Sequence, residues 1–195
     1  YSPADLRLIL IDPKKTEFVV YEGLPHLVIN EVLSDTNKVI QSLNWAIAEM
    51  ERRYDLFNKK SRSGTYVINI DEYNANLTEG EEKLPKIVII ADEVAAMMQD
   101  AKKDMEDRIQ NLTQKSRATG IHVILATQRP STDVITGVIK SNLKSRIALS
   151  VASEIDSRVI LDESGAQNLL GQGDLLYSTE GTKTPIRMQA PFISS

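Results

Sequence analysis

Two adjacent acids, Asp92 and Glu93, follow a run of apolar residues, and together they could carry out metal and water chemistry. The run KIVIIA, residues 86–91, is rich in β-branched residues, which favour strands. An aspartate that closes such a strand is the Walker B arrangement of nucleotide triphosphatases, in which it holds Mg²⁺, usually through water. We therefore predict that Asp92 holds magnesium and that Glu93 polarises the attacking water. The alternative is a solvated acid pair at a strand end.

A second apolar run, IHVILATQ at residues 121–128, also ends in polar residues, Thr127 and Gln128. One predicted helix separates it from Asp92. Polar side chains at the tips of neighbouring parallel strands can reach the same ligand, here the γ-phosphate and the attacking water. This order predicts an additional-strand ATPase with a RecA-like core, in which Thr127 and Gln128 bind nucleotide and Gln128 is the sensor. A strand-end hydrogen bond from Gln128 to a loop is the alternative.

These runs belong to an alternation of strand-like and helix-like segments. Apolar runs without polar alternation, typical of strands buried on both faces, occur at residues 6–11, 86–91, 121–128 and 146–151. Helical spacing of apolar residues predicts helices at 35–57, 98–112, 133–140, 156–161 and 165–170. GDLLY and PIRMQA predict a terminal hairpin. The pattern predicts an α/β fold of the RecA-like P-loop NTPase type, with a mostly parallel central sheet flanked by helices.

The composition indicates one domain, residues 1–195, with a flexible loop or insertion at residues 59–85, where Asn, Glu, Gly and Ser are frequent. There is no cysteine, which excludes disulfides and thiolate metal sites. No apolar run approaches the ~18 residues of a membrane span. The net charge of −4 disfavours a surface-wide nucleic-acid binder, so any polyanion contact needs a local basic patch.

One part of an ATP site has no match in the sequence. The phosphate-binding pattern G-x-x-x-x-G-K-[ST] does not occur, and no Gly-Lys pair is present. The chain is either degenerate or begins downstream of that loop. The strand-like run LRLILI begins at Leu6 and favours the second interpretation, in which the first strand and the phosphate loop are missing. We expect such a chain to bind ATP weakly or not at all and to be monomeric.

Several segments carry a closer likeness than any single motif. LRLILIDPK, KIVIIADEVAAMM, RATGIHVILATQRP and DSRVILDESGAQNLLGQGDLLY occur in this order and resemble the motor domain of the FtsK/SpoIIIE DNA translocases over nearly the whole chain. The resemblance implies a homo-hexameric ring that threads double-stranded DNA, with ATP and Mg²⁺ bound between subunits. It also implies chromosome partition at cell division or sporulation. The chain would be a cytoplasmic domain, without direct membrane contact, of a bacterial membrane-anchored protein at the division septum.

The resemblance also implies roles for individual residues of the nucleotide site. Asp92, Glu93 and Gln128 would take the magnesium, catalytic-base and sensor roles. Arg117, in QKSRATG, matches the family's arginine that reaches the γ-phosphate of the neighbouring subunit. The residues alone favour a simpler role for Arg117, a cation that complements the dipole at the end of a predicted helix.

Two loops would grip DNA in the channel. The first follows the sensor strand and includes Arg129, and the second follows RIALSV and includes Ser153 and Arg158. Phosphate contacts suit a motor, because they hold DNA without reading its sequence. Ordinary solvated or ion-paired arginines are the alternative. Glu154 departs from the Lys or neutral residue of many relatives, and we expect it to repel phosphate or to pair with Arg158.

Two other functions share these features. Secretion- and conjugation-type ring ATPases have the same superfamily core, and a catalytically inactive ring subunit would have the same fold. The runs RATGIHVILATQRP and DSRVILDESGAQNLLGQGDLLY favour the translocase over the first of these. The presence of both acids, of the sensor Gln128 and of Arg117 argues against a catalytically inactive subunit. ATP is the expected small-molecule substrate.

Overall fold

The computed structural model describes residues 1–191 of the chain. The chain divides into two compact units, Tyr1–Thr127 and Gln128–Ser195, where the sequence analysis predicts one domain. Each unit has its own sheet and its own buried apolar cluster. Within the described residues, no helix has the length and apolar character needed to cross a membrane.

The first unit is built around a parallel three-stranded sheet with the order β1-β2-β3. Its strands and helices are β1 (Leu6–Ile11), α1 (Thr36–Arg62), α2 (Ile70–Ala75), β2 (Lys86–Ala91), α3 (Val94–Lys115) and β3 (Ile121–Leu125). A short 3-10 helix at Val19–Tyr21 follows β1. The strand that leads into the two adjacent acids is therefore the central one.

The register of this sheet brings three strand ends to one edge. Ile11 of β1 pairs with Ala91 of β2, and Ala91 pairs with Leu125 of β3. Because the three strands run parallel, the residues that follow these positions leave the sheet side by side. The two runs with polar ends therefore end next to each other, and β1 ends beside them.

The long helices have the apolar stripes that the sequence predicts. α1 begins after Asp35, whose side chain accepts a hydrogen bond from the N–H of Lys38 and caps the helix. Buried residues recur along it every three or four positions, at Val39, Leu43, Ala46, Met50, Arg53 and Phe57. α3 packs against α1 and is interrupted at Ala101, whose backbone dihedral angles are not helical.

Residues 59–85 contain more regular structure than their polar composition predicts. α1 runs through Arg62, and α2 follows within the segment. A small core holds the segment, formed by Phe57, Val67, Ile70, Tyr73 and Leu84. The ammonium group of Lys60 pairs with Glu81 and lies 5.3 Å from the centre of the Tyr73 ring. A few well-spaced apolar residues therefore fold a segment that composition alone assigns to a loop.

The second unit is built around a three-stranded antiparallel sheet with the order β4-β5-β6. Its elements are α4 (Gly137–Asn142), β4 (Arg146–Leu149), α5 (Glu154–Leu161), β5 (Asp174–Ser178) and β6 (Ile186–Gln189). A 3-10 helix at Ala166–Asn168 lies between α5 and β5. β5 and β6 form the hairpin that the sequence predicts near the end of the chain.

The prediction that residues 146–151 form a buried strand of the parallel sheet is wrong. β4 pairs antiparallel with β5 in the second sheet. Its Ala148 is buried in an apolar cluster with Ala166, whereas Ile147 and Leu149 are 60% and 55% exposed. A short apolar run indicates neither its partner strand nor whether both of its faces are covered, so the sequence could not separate the two arrangements.

β3 is also less buried than its apolar run predicts. It pairs with β2 on one side and, within residues 1–191, with no strand on the other. His122 and Ile124 lie on the same face of the strand, since they are two residues apart, and both are exposed. β3 is therefore an edge strand with one open face in the described part of the chain.

Candidate functional site

The acid pair lies at the carboxyl end of β2. The N–H of Asp92 donates to the carbonyl oxygen of Ile11, which continues the β1–β2 pairing by one residue. Glu93 is the N-cap of α3, and its Oε1 accepts a hydrogen bond of 3.1 Å from the N–H of Ala95. Glu93 is 3% exposed. The strand and the helix that follows it fix the backbone of both acids.

The tip of β3 is hydrogen-bonded to the acid pair. The hydroxyl of Thr127 donates to Oε1 of Glu93 at 2.6 Å, a length typical of a bond to an ionised carboxylate. The backbone supports this contact, because the N–H of Val94 donates to the carbonyl oxygen of Ala126 at 3.0 Å. The strand ends that the sequence predicts to meet are thus joined through Thr127. Its role in nucleotide binding stays a prediction.

The side chain of Asp92 has an environment that suits a bound cation. Its Oδ2 is buried and has no hydrogen-bond partner among residues 1–191. Burial raises the pKa of Asp92 above its usual value, and the carboxylates of Asp12, Glu17 and Glu93 raise it further, while Lys14 lowers it. A cation at Oδ2 would supply the missing partner and offset the repulsion between these carboxylates.

Magnesium fits this set of donors better than a metal that needs a cage of protein ligands. Mg²⁺ keeps several waters and takes one or two carboxylates together with phosphate oxygens. In the described part of the chain, no group of three or more His, Cys, Asp or Glu is arranged to hold a metal ion. Asp92 is the residue that would hold Mg²⁺, and the ion would supply positive charge to a bound phosphate.

The sequence analysis misses a third carboxylate at this edge of the sheet, Asp12. Its side chain is fully buried and accepts hydrogen bonds of 2.9–3.1 Å from the backbone N–H groups of Lys14, Thr16, Glu17 and Phe18. Burial raises the pKa of Asp12, but the N–H groups of the loop outweigh it, so the pKa lies below its usual value. Asp12 therefore folds the loop that follows β1. Its position directly after an apolar strand was the signal available in the sequence.

This loop brings a cation, Lys14, to the acid pair. Nζ of Lys14 lies 3.9 Å from Oε2 of Glu93, and the two side chains are 48% and 4% exposed. The chain turns immediately afterwards, since Lys15 adopts a left-handed φ of 55°. The Asp-Pro-Lys sequence belongs to a segment that resembles the family, but nothing in it indicates a contact with Glu93.

Two more residues of the predicted site follow Thr127 directly. Gln128 begins the second unit, Arg129 comes next, and both are exposed. The carbonyl oxygen of Arg129 accepts a hydrogen bond from the N–H of Ser131, which starts a tight turn. The sensor role of Gln128 and the DNA contact of Arg129 stay predictions.

Arg117 lies at the opposite edge of the parallel sheet from the acid pair. It is exposed in the turn between α3 and β3, where its carbonyl oxygen accepts the N–H of Gly120. The carbonyl oxygen of Gly120 in turn accepts the N–H of Ile87, near the start of β2. From Ile87 to Asp92 the strand rises about 17 Å, at ~3.3 Å per residue. Arg117 is therefore too distant to contact the acids of its own chain, and its contact with the γ-phosphate of a neighbouring subunit stays a prediction.

The second predicted DNA loop leads into a capped helix. Ser153 is the N-cap of α5: its Oγ accepts the N–H of Asp156, whose carboxylate accepts the N–H of Ser153. The guanidinium group of Arg158 donates to Oε1 of Glu154 at 3.0 and 2.7 Å. Of the two outcomes expected for Glu154, the structure has the ion pair. The contacts of Ser153 and Arg158 with DNA stay predictions.

Comparison with known sequences identifies the family. The sequence profile described as the FtsK/SpoIIIE family matches residues 1–132, more than half of the chain. The chain belongs to this family. It is 50% identical over its full length to the DNA translocase FtsK of Clostridium tetani, and 50% identical over 99% of its length to the DNA translocase SpoIIIE of Bacillus subtilis. It spans about a quarter of these relatives, 26% and 25% of their lengths.

Comparison with solved structures confirms the predicted fold class, an α/β fold with a parallel sheet flanked by helices. The pCW3 conjugation coupling protein TcpA, solved with ATPγS, has a TM-score of 0.77 at 24% identity, over 96% of this chain and 52% of its own. The cytoplasmic domain of the Thermomonospora curvata type VII secretion ATPase EccC has a TM-score of 0.76 at 23% identity, over 100% of this chain and 22% of its own.

Proposed function

We propose that this chain forms part of an ATP-driven motor that translocates double-stranded DNA, of the type that moves chromosomes at cell division or sporulation. The observation that carries the proposal is the hydrogen bond from Thr127 to the buried Glu93, beside Oδ2 of Asp92, which is buried and has no hydrogen-bond partner within residues 1–191. It joins a general base, a cation site and a neighbouring strand tip at one place, which is what hydrolysis of a nucleoside triphosphate needs. Identity of 50% to DNA translocases supports DNA as the cargo.

The two acids have different roles in hydrolysis. Asp92 holds Mg²⁺, whose charge stabilises the phosphates of ATP. Glu93 is oriented by the hydroxyl of Thr127 and the N–H of Ala95, and its carboxylate accepts a hydrogen bond from the attacking water. Gln128 contacts the same water or the γ-phosphate from the tip of the neighbouring strand.

A second copy of the chain completes each nucleotide site. Arg117 lies about 17 Å along the strands from the acid pair of its own chain, so it serves the γ-phosphate bound to a neighbouring copy. An arginine in this role accelerates related phosphoryl transfers about 10³–10⁵-fold. The assembly proposed is a homo-hexameric ring with ATP between subunits.

DNA contacts come from the second unit. Arg129, Ser153 and Arg158 contact phosphates in the channel of the ring, and the phosphate competes with Glu154 for the guanidinium group of Arg158. The net charge of −4 is compatible with this role, because only the channel surface has to be positive. On family membership alone, we assign the motor to the cytoplasmic side of the division septum, in a bacterial membrane-anchored protein.

The test is DNA-stimulated ATP hydrolysis, measured on protein extended upstream to include a phosphate-binding loop. Duplex DNA should accelerate hydrolysis, and Glu93→Gln should abolish it. The double substitution Arg129→Ala/Arg158→Ala should remove the DNA response and leave the basal rate intact. Arg62→Ala, at an exposed position of α1, is the control and should behave as the unsubstituted protein.

Two results would replace the proposal. A rate of hydrolysis that does not change when DNA is added would favour a secretion- or conjugation-type motor. The likeness in fold to TcpA and EccC is compatible with that class. An assembled ring that does not hydrolyse ATP would identify an inactive ring subunit.

A further inference from the structure

Lys14 contacts Glu93 of the acid pair, and the roles proposed above do not include it. The two oxygens of Glu93 have different neighbours: Oε1 accepts the N–H of Ala95 and the hydroxyl of Thr127, whereas Oε2 lies 3.9 Å from Nζ of Lys14. The ammonium group therefore approaches the oxygen other than the one that accepts from Ala95 and Thr127. Two strand ends, those of β1 and β3, act on the same side chain.

The loop that carries Lys14 is fixed by its own hydrogen bonds. The buried carboxylate of Asp12 accepts four backbone N–H groups within the next six residues. Pro13 restricts φ between Asp12 and Lys14, and Lys15 turns the chain with a left-handed φ. Because the backbone on both sides of Lys14 is already ordered, its side chain reaches Glu93 at a lower entropic cost than from a flexible loop.

The charges around the acid pair explain why a cation is needed there. Asp92 and Glu93 are adjacent carboxylates, and Glu93 is buried. Like charges at short range repel more strongly where burial reduces the effective dielectric constant. Without Lys14, the attraction that the β1 loop exerts on Oε2 of Glu93 would be lost.

We propose that Lys14 is a positioning residue for the general base: it holds Oε2 of Glu93 towards the β1 loop, so that the carboxylate keeps one orientation beside Asp92. The contact itself is a property of this chain, while its effect on catalysis rests on the proposed function. The competing view is that a pair 3.9 Å apart with a half-exposed lysine contributes nothing, as many surface ion pairs do.

A spectroscopic measurement on the 195-residue chain separates these views without nucleotide. The chain is labelled with ¹³C at the glutamate carboxyl groups, and the Glu93 signal is assigned by its disappearance in Glu93→Gln. Lys14→Met should move this signal, and Lys14→Arg should return it towards its original position. Lys15→Met, one residue away and also exposed, is the matched control and should leave it unchanged. Amide spectra of all variants should otherwise overlay.

A Glu93 signal that stays in place in Lys14→Met, with the amide spectrum intact, overturns the proposal. In the protein extended upstream to include a phosphate-binding loop, Lys14→Met should lower kcat about 10-fold with KM nearly unchanged, and Lys14→Arg should restore most of the rate. A moved signal with an unchanged kcat would also overturn the positioning role. If the unsubstituted protein does not hydrolyse ATP, the proposed function fails, and the signal of Glu93 alone decides whether Lys14 orients it.

Discussion

Replacing Asp12 with asparagine measures how far the first unit depends on one buried carboxylate. The carboxylate accepts four backbone N–H groups. An amide oxygen can accept three of them, but the amide NH₂ then faces the fourth donor. A hydrogen bond to a charged group contributes about 1.5–3 kcal/mol, against about 1 kcal/mol for a neutral one. At the lower end of these values, three weakened bonds and one lost bond should lower the free energy of unfolding by about 3 kcal/mol, and Asp12→Ala, which loses all four, should lower it by about 6 kcal/mol.

Urea unfolding followed by tryptophan fluorescence reports this change from the first unit. Trp45 is the single tryptophan of the chain and lies on α1. With a slope of about 2 kcal/mol per M, a loss of about 3 kcal/mol lowers the urea midpoint by about 1.5 M. Asp55→Asn, at an exposed position of the same helix, is the matched control and should shift the midpoint by less than about 0.25 M.

The dependence of stability on pH gives the same variant a second signature. Because the pKa of Asp12 is lowered in the folded chain, its stabilisation is complete above the unfolded pKa of about 4 and is lost as pH falls through the lower folded value. Below about pH 4, the unsubstituted chain should therefore lose stability more steeply than Asp12→Asn. Parallel losses, or a urea midpoint no lower than that of Asp55→Asn, would refute the claim that this carboxylate folds the loop.

Three further results are expected. Thr127→Val should lower kcat about 10–100-fold, since Glu93 loses an orienting donor, and Thr127→Ser should restore most of it; an unchanged rate would mean that the bond is dispensable. Calorimetry should detect no micromolar binding of Mg²⁺-ATP to the 195-residue chain, which has no phosphate-binding loop, and a clear isotherm would contradict this. Glu154→Gln should release Arg158 and raise the affinity for duplex DNA about threefold, measured by fluorescence anisotropy. The slope of log affinity against log salt concentration should become steeper by about 0.9. Glu163→Gln should change neither the affinity nor the slope.

The sequence predicts the part of the site that depends on strand ends. Apolar runs that stop at Asp92 and at Thr127 indicate two parallel strands with polar tips, and the register of β2 and β3 puts those tips side by side. The start of α1 at Asp35 is equally local, because one side chain and one backbone N–H determine it. Such features are determined by short segments of the sequence, so they can be predicted without the tertiary structure.

Other features depend on partners that are distant in the sequence. The approach of Lys14 to Glu93 follows from the pairing of β1 with β2, and neither segment indicates the other. The assignment of β4 to an antiparallel sheet depends on β5, which begins at Asp174. In residues 59–85, a polar composition conceals a small core around Tyr73. In each case the missing information is which segments meet, and a single sequence does not contain it.

The distance between Arg117 and Asp92 leaves two kinds of symmetry for an assembly that joins them. A reciprocal pair, in which Arg117 of each chain meets Asp92 of the other, is two-fold symmetric, whereas a contact made in one direction only is heterologous. Copies joined in this way add head to tail, until the rotation between neighbours closes a ring or a filament grows. The resulting assembly has a front and a back, which a two-fold dimer does not have. In the heterologous case, the chemically different edges of one parallel sheet give the assembly that polarity.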